Sequence, residues 1–199
     1  MKPLRRLDAV AVPLDESDID TDQLVPGRLL LAPLSPTVLL HDRRFLPDGT
    51  PRPEFVLNDP RYADAEILVA GRNFGIGSSR EYAARALPEA GFRCVIAPSF
   101  GDIFYNNCLQ VGVLPIVVPP AAAASLCATL THAPGSRVRV DLEAQTVEAA
   151  GWETQRFSIN ALRKECLLGG LDEIALTTTY GDAIDGFEAR YYRALPWLA

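Results

Sequence analysis

The chain has 199 residues, with 19 lysines and arginines against 25 aspartates and glutamates, so its formal net charge is −6. A composition of 48% hydrophobic and 22% charged residues is that of a globular protein and excludes a disordered chain. The acidic balance disfavours a nucleic-acid partner, which needs a basic surface. No stretch approaches 18 uncharged apolar residues, and the first 18 residues lack the apolar run of a signal peptide. We therefore expect a cytoplasmic protein that does not enter a membrane.

The four cysteines lie far apart in the sequence, without a CxxC pair, at Cys94, Cys108, Cys127 and Cys166. This spacing disfavours a metal site that the chain holds alone. Scattered cysteines on apolar segments are typical of buried thiols in a reducing compartment.

A strand is predicted over residues 7–14, followed by an acidic loop over 15–22. Seven prolines lie between Pro26 and Pro60. They prevent long regular elements, so we expect an extended excursion with short helical pieces. Strands and helices then alternate, with strands predicted over 65–70, 92–97 and 113–118 and helices over 79–87, 100–109 and 121–131. This alternation predicts βαβ units and a largely parallel sheet, with Pro115 indicating an edge strand or a break.

The remainder of the chain has a different pattern. Residues 137–140 and 146–149 alternate polar and apolar positions, which predicts an antiparallel hairpin. Asn160 is expected to cap a helix that ends at Gly169 and Gly170. A helical tail with a break near Gly181 follows. The prediction is one α/β domain over residues 1–199, with a mixed, largely parallel sheet, an additional β-hairpin layer and a helical tail from about 160 to 199.

The most informative segment is GRNFGIGSSREYAARAL, residues 71–87, which follows a predicted strand and opens a helix. Gly75 and Gly77 let the backbone approach a ligand closely, and Ser78 with Glu81 matches a capping box that begins the helix at the serine pair. Free N–H groups and a positive helix end favour an anion, and the guanidinium of Arg80 suits a carboxylate. The segment lacks the Walker A lysine, the third glycine of G-x-G-x-x-G and the last glycine of G-x-S-x-G. A structural turn with Arg80 in a surface ion pair remains the alternative.

GRNFGIGSSRE resembles the signature of the swivelling domain of the aconitase superfamily. PSFGDIFYNNCLQVGVLPI, residues 98–116, resembles the companion signature of small subunits of 3-isopropylmalate dehydratase. DIDTDQLVP, residues 18–26, is similar to the opening motif of that family. The resemblance covers about residues 5–120, and the three motifs occur in the family's order.

The resemblance implies a three-layer β/β/α swivelling domain and a hydro-lyase that removes water from a 2-hydroxy-dicarboxylate and adds it back. The first substrate it suggests is 2-isopropylmalate, isomerised to 3-isopropylmalate in leucine biosynthesis. It implies a 4Fe-4S iron–sulfur cluster on a separate large subunit, with which this chain would be active as a heterodimer or higher assembly. No cofactor or metal is expected on this chain.

By position, the resemblance makes Ser78 the catalytic base, Ser79 a substrate contact and Arg80 the arginine that holds a substrate carboxylate. Asp22 matches an acidic active-site residue. A second substrate-binding arginine is expected after TDQL, and Arg44 is favoured over Arg28 and Arg43. Asn73, Gly75 and Gly77 belong to the loop that supports the site. The sequence departs from the family pattern at Ile76 and Tyr82.

Two other functions stay open. One is a related hydro-lyase acting on methylmalate, dimethylmalate or citraconate, since the specificity pocket, expected between Pro26 and Pro60, is not decoded by the sequence. The other is a non-catalytic binder of small carboxylates. A calcium loop at Asp18, Asp20 and Asp22 is disfavoured, because position 6 is Gln23 and position 12 is Leu29; we expect turn and cap roles for Asp18 and Asp20.

Overall fold

The structure is a computed structural model that describes residues 1–77 and 80–198. Its strands are β1 (Arg6–Leu14), β2 (Ala65–Ala70), β3 (Cys94–Ala97), β4 (Leu114–Val117), β5 (Arg137–Asp141), β6 (Thr146–Ala149) and β7 (Trp152–Arg156). They form one sheet in the order β4-β3-β2-β1-β5-β6-β7. The four strands from β1 to β4 are parallel neighbours, and β5, β6 and β7 continue the sheet in antiparallel pairs.

The mixed α/β class is confirmed, and one detail of it is corrected. The hairpin of β5 and β6 is present, but it belongs to the main sheet instead of forming a separate sheet. The reason is backbone pairing: β5 hydrogen-bonds directly to β1, with Val138 opposite Ala9. β7 was not predicted from the sequence, since Trp152 is the one buried residue of this strand.

The helices are α1 (Thr21–Leu24), α2 (His41–Arg44), α3 (Glu81–Glu89), α4 (Asp102–Val111), α5 (Pro120–His132), α6 (Ala161–Gly169), α7 (Glu173–Thr178) and α8 (Gly181–Ala194). Asn160 caps α6 by accepting from the backbone N–H of Leu162 at 3.0 Å, and Gly170 ends it in the left-handed region, as predicted. The break near Gly181 is confirmed by the end of α7 at Thr178. None of the helices in the described part of the chain is long and apolar enough to cross a membrane.

Apolar residues cover both faces of the parallel strands, as expected for strands connected by helices. Ile67 and Val69 pack with Leu126 of α5 on one face. Leu68 packs on the other face with side chains of α3 and α4, including Phe104. α5 contacts β1, β2 and β3 and also reaches β7, where the indole N–H of Trp152 donates to the Ala122 carbonyl at 3.0 Å.

The proline-rich excursion joins β1 to β2 and contains only short helices, as predicted. It packs on the face of the sheet that carries α3 and α4 by burying Leu24, Leu39 and Leu40. Pro115 lies in β4, and β4 is an edge strand, where a missing N–H is tolerated. Because β1, β2 and β3 run parallel, the segments that follow them meet at one edge of the sheet.

Candidate active site

Two of the three motif segments are joined by backbone hydrogen bonds at the carboxyl ends of β1 and β2. The N–H of Asp18 donates to the Arg72 carbonyl at 2.8 Å, and the N–H of Gly75 donates to the Ile19 carbonyl at 2.7 Å. The N–H of Thr21 donates to the Ile76 carbonyl at 2.9 Å. The acidic DIDTD segment therefore lies beside the glycine loop from Arg72 to Ile76.

The third motif segment, residues 99–101, follows β3 and closes the other side of the glycine loop. The N–H of Phe74 donates to the Ser99 carbonyl at 3.0 Å, and the N–H of Gly101 donates back to the Phe74 carbonyl at 3.0 Å. The Ser99 hydroxyl accepts from the N–H of Asn73 at 2.8 Å and donates to the Asn73 side-chain oxygen at 3.1 Å. All three motifs thus contribute to one cluster.

The predicted supporting residues, Asn73, Gly75 and Gly77, lie in this cluster with positive φ angles of 55°, 73° and 110°. The Asn73 amide donates to the Asp18 carboxylate at 2.6 Å, which fixes the orientation of its side chain. Gly75 lies against the ring of Phe104, where an added Cβ would be only 2.2 Å from a ring carbon. Glycine is required at Gly75 for two reasons, the backbone conformation and the close approach of the ring.

Arg80 and Asp22 form an ion pair at the edge of this cluster. The Arg80 side chain is 32% exposed and that of Asp22 is 63% exposed, so both are accessible from one side. The guanidinium lies against Gly27, where an added Cβ would be 3.9 Å from a guanidinium nitrogen. The ion pair that the alternative interpretation expected for Arg80 is therefore present, and its partner is Asp22, the acidic residue predicted in the site.

The predicted helix start is wrong by two residues. α3 begins at Glu81 instead of residue 79, and Arg80 is its N-cap with an extended backbone (φ −70°, ψ 98°). The extended backbone of Arg80 is not helical, so α3 does not include that residue. Arg80 consequently precedes the helix, and the Asp22 carboxylate offsets its unfavourable position at the positive helix end. Ser78 and Ser79 lie outside the described residues.

An open cavity of about 240 Å³ borders the glycine loop. Gly75, Ile76 and Gly77 form one side of it, and the first turn of α4 forms the other. Ile103 in that turn is 49% exposed. The loop is thus reached through a shallow, partly apolar surface.

Arg44 is not brought together with Arg80. Its Nε donates to the Asn58 side chain at 3.0 Å and one terminal nitrogen donates to the Pro36 carbonyl at 2.6 Å. It lines a cavity that also contains Ala65, the first residue of β2, whereas the glycine loop follows the last. Of the other candidates, Arg28 pairs with Asp42 and Arg43 pairs with Glu16. Of the four arginines considered for substrate binding, Arg80 is therefore the one that lies in the cluster.

Two contacts at the site were missed by sequence reasoning. The Tyr82 hydroxyl donates to the Ala32 carbonyl and ties α3 to the excursion. Ser99 binds Asn73 as described above, and its place in the PSFGD motif was the signal that could have found it.

The expected cap role of Asp20 is confirmed, since its carboxylate accepts from the Gln23 N–H at 2.7 Å. Asp18 accepts from Asn73 and pairs with Arg72 at 3.0 Å.

The interpretation of the cysteines as buried thiols is confirmed, because all four are buried and free. Burial raises the pKa of Cys127 to about 12 and raises the pKa values of Cys94 and Cys108 further. In residues 1–77 and 80–198, no three histidine, cysteine, aspartate or glutamate side chains form a group able to bind a metal ion. The described donors of this chain thus do not fit an iron–sulfur cluster, which needs cysteine thiolates.

Comparison with known proteins places these motifs in a family. The model of the aconitase C-terminal domain matches residues 37–121. The curated 3-isopropylmalate dehydratase small subunit of Cereibacter sphaeroides (strain KD131 / KCTC 12085) is 44% identical over 201 residues, which cover 100% of both chains. The chain belongs to the family of 3-isopropylmalate dehydratase small subunits. Another member of this family, from Dinoroseobacter shibae, is 43% identical over 201 residues with the same coverage.

The fold agrees with a solved structure of the same description. A crystal structure of 3-isopropylmalate dehydratase from Methanocaldococcus jannaschii has a TM-score of 0.62 and 26% identity, covering 92% of this chain and 99% of that chain. The match to the small-subunit family extends over the whole chain, so it includes the region after residue 120 in which the motifs gave little information.

Proposed function

We propose that this chain is the small subunit of a hydro-lyase that isomerises 2-isopropylmalate and 3-isopropylmalate in leucine biosynthesis, by dehydration followed by rehydration. One observation carries the proposal. Arg80 and Asp22, which are distant in sequence, meet at the glycine loop of a chain that matches curated small subunits of that enzyme over its full length. The substrate is a small dicarboxylate, for which a guanidinium at the loop is the appropriate ligand.

Arg80 binds one carboxylate of the substrate in this proposal, and Ser79 contacts the same substrate. The fork of N–H donors on a guanidinium matches the two oxygens of a carboxylate, which fixes position as well as charge. Asp22 is the charged group that holds Arg80 in the absence of substrate. It orients the guanidinium and takes part in the acid–base chemistry of the site.

Ser78 is the proposed catalytic base, which removes a proton from the carbon next to a substrate carboxylate. A serine hydroxyl is a poor base in water, so it needs stabilisation of its alkoxide form. In the sequence, Ser78 directly follows Gly77 and precedes Arg80 by two residues, and α3 begins at Glu81. A nearby cation and a helix N-terminus both favour a negative charge on an oxygen, which is why this position suits a serine base.

The large subunit is the proposed partner and holds the 4Fe-4S cluster. When bound there, the cluster supplies a Lewis acid for the substrate hydroxyl and carboxylate. This chain contributes the groups on the opposite side of the substrate. The shallow surface beside the glycine loop supports this division, because a water-excluding site there needs a second protein surface to close it. The four buried thiols suit the reducing cytoplasm, and neither a nucleic acid nor a membrane is needed.

The test is reconstitution with the large subunit. The two chains are co-expressed and purified without oxygen, and the absorbance of the unsaturated diacid intermediate is followed after adding 2-isopropylmalate. We expect a stable complex and turnover that requires both chains. Faster turnover of 2-methylmalate or 2,3-dimethylmalate would assign the chain to a related hydro-lyase. Absence of a complex, with no absorbance change for any malate derivative, would favour a non-catalytic carboxylate binder.

A further inference from the structure

A second cavity of the described chain lies away from the glycine loop. It has a volume of about 410 Å³ and is lined in part by Arg44, Asn58, Asp59, Tyr62 and Phe92; we call it the Arg44 cavity. Its volume is within the range of about 300–1,000 Å³ that is typical of small-molecule sites. Its lining combines aromatic and aliphatic side chains with the polar groups of Arg44, Asn58 and Asp59, and a site for a small molecule needs both kinds of contact.

The Arg44 cavity and the loop cluster are at opposite ends of α3. Arg80 is the N-cap of that helix, and its C-cap, Ala90, lines the cavity. Ten residues at 1.5 Å each separate the two ends by about 15 Å. A ligand small enough for one site therefore does not contact the other.

Arg44 carries a positive charge that no carboxylate in the described part of the chain balances. Its hydrogen bonds go to two neutral oxygens, those of the Asn58 amide and the Pro36 carbonyl. These bonds fix the guanidinium in place and leave other N–H groups of its five available. The side chain is half-buried, and burial lowers the pKa of the guanidinium below its ordinary value. An anion beside Arg44 relieves this cost of burying an unpaired charge.

The acidic residue of the cavity is already paired. Arg61 donates to the Asp59 carboxylate at 2.9 Å, and this hydrogen bond lowers the pKa of Asp59 below its ordinary value. Asp59 is therefore ionised at neutral pH. Arg44 is the one cationic side chain in the described lining of the cavity, so a ligand with one carboxylate is preferred over a dicarboxylate.

We propose that the Arg44 cavity binds a small monocarboxylate with an apolar tail, such as a short branched-chain acid, independently of the site at Arg80. The carboxylate pairs with the guanidinium of Arg44. The tail lies against the aromatic and aliphatic lining near Tyr62 and Phe92. The single cation of the lining thus disfavours the dicarboxylate that the loop cluster would bind.

The test is a titration of the isolated full chain with 4-methylpentanoate, followed by ¹H–¹⁵N correlation spectra in a buffer free of other carboxylates and phosphate. The neutral isostere 4-methylpentanamide is the control ligand. We expect saturable shifts at the backbone amides around residues 57–65 and 90–92. The acid should bind at least about tenfold more tightly than the amide, as expected for a charge-assisted hydrogen bond.

Three variants locate the site. Arg44→Gln should weaken binding of the acid by at least about tenfold, while Arg80→Gln should leave it unchanged. Ala63 lines the cavity and is exposed, so Ala63→Phe should fill the cavity without disturbing Arg44 or the fold. Unfolding curves show whether each variant is folded. If Arg44→Gln does not fold, loss of ligand binding in Ala63→Phe tests the location of the site. Absence of saturable shifts, equal binding of acid and amide, or binding that depends on Arg80 instead of Arg44 or Ala63 would overturn the proposal. Because no step uses the large subunit, these results do not depend on hydro-lyase activity.

Discussion

Asp22 and Arg80 are 58 positions apart in the sequence and form an ion pair at the carboxyl ends of β1 and β2. Each belongs to a different motif, and the hydrogen bonds between those motifs bring the two side chains together. In the absence of substrate, the Asp22 carboxylate is paired with the guanidinium that is proposed to bind a substrate carboxylate. A substrate carboxylate bound at Arg80, as proposed, would therefore lie beside an existing negative charge.

Removal of the Arg80 charge and removal of the Asp22 charge should have different kinetic effects. In the reconstituted enzyme, Arg80→Gln should raise KM for 2-isopropylmalate by at least about tenfold, because hydrogen bonds to a charged group are lost. Asp22→Asn should lower kcat by about a hundredfold if it acts in acid–base chemistry. Asp182→Asn, at an exposed position of α8, is the matched control and should change neither constant. An unchanged KM for Arg80→Gln would contradict the assigned role.

Gly75 and Gly151 provide a matched pair for the packing of the loop. Their φ angles are +73° and +71°, so alanine is strained equally by the backbone at both positions. Only at Gly75 does the added Cβ meet a neighbour, the Phe104 ring, whereas nothing lies within 4 Å at Gly151. We expect Gly75→Ala to lower the free energy of unfolding by about 1–3 kcal/mol more than Gly151→Ala, the usual cost of overpacking. Denaturant unfolding measures both variants, and equal destabilisation would show that the ring does not restrict the loop.

The buried thiols should be unreactive in the folded chain. At pH 8, a disulfide reagent such as 5,5′-dithiobis(2-nitrobenzoate) should modify none of the four cysteines at the rate of an exposed thiol, because burial keeps the reagent away from all four sulfur atoms. Ser125 is exposed on α5, so a Ser125→Cys variant is the positive control. Rapid reaction of a native cysteine in the unmodified chain would show that its thiol is accessible.

The buried thiol of Cys127 should make the fold sensitive to alkaline pH. Burial raises the pKa of Cys127 from 9.0 to about 12, so the folded state holds this proton more tightly than the unfolded state. The resulting stability is fully present below pH 9 and is lost as the pH rises from 9 towards 12. Unfolding curves measured at increasing pH should show this decline, and Cys127→Ala should reduce its slope. A slope that is identical in the variant would exclude Cys127 as its source.

The parallel part of the sheet could be predicted because its signal is local. Apolar runs such as AEILVA indicate strands buried on both faces, and intervening helices determine their parallel order. The position of the hairpin could not be predicted, because pairing of β5 with β1 depends on contacts between distant segments. β7 was missed because exposed polar residues dominate its pattern.

Part of the arrangement of the candidate site could be predicted from the sequence. The motifs brought Asp22, Arg80 and the glycine loop together because their order in the chain follows the ends of adjacent strands. Their pairing in space was not predicted, and Arg44 was assigned by similarity of a short segment, which contains no information about its hydrogen bonds to Asn58 and Pro36. The predicted start of α3 was wrong because the pattern S-x-x-E contains no information about the backbone conformation of Arg80, which is extended.

The most direct measurement for the account is the turnover of 2-isopropylmalate by the reconstituted two-chain enzyme carrying Ser78→Ala. If Ser78 acts as the base, its replacement by alanine should lower kcat by about 10²–10⁴-fold. KM for the substrate should stay close to that of the unmodified enzyme. Ser125→Ala, at an exposed position, should have no effect. Near-normal turnover by Ser78→Ala, in a complex that requires this chain for activity, would contradict the account.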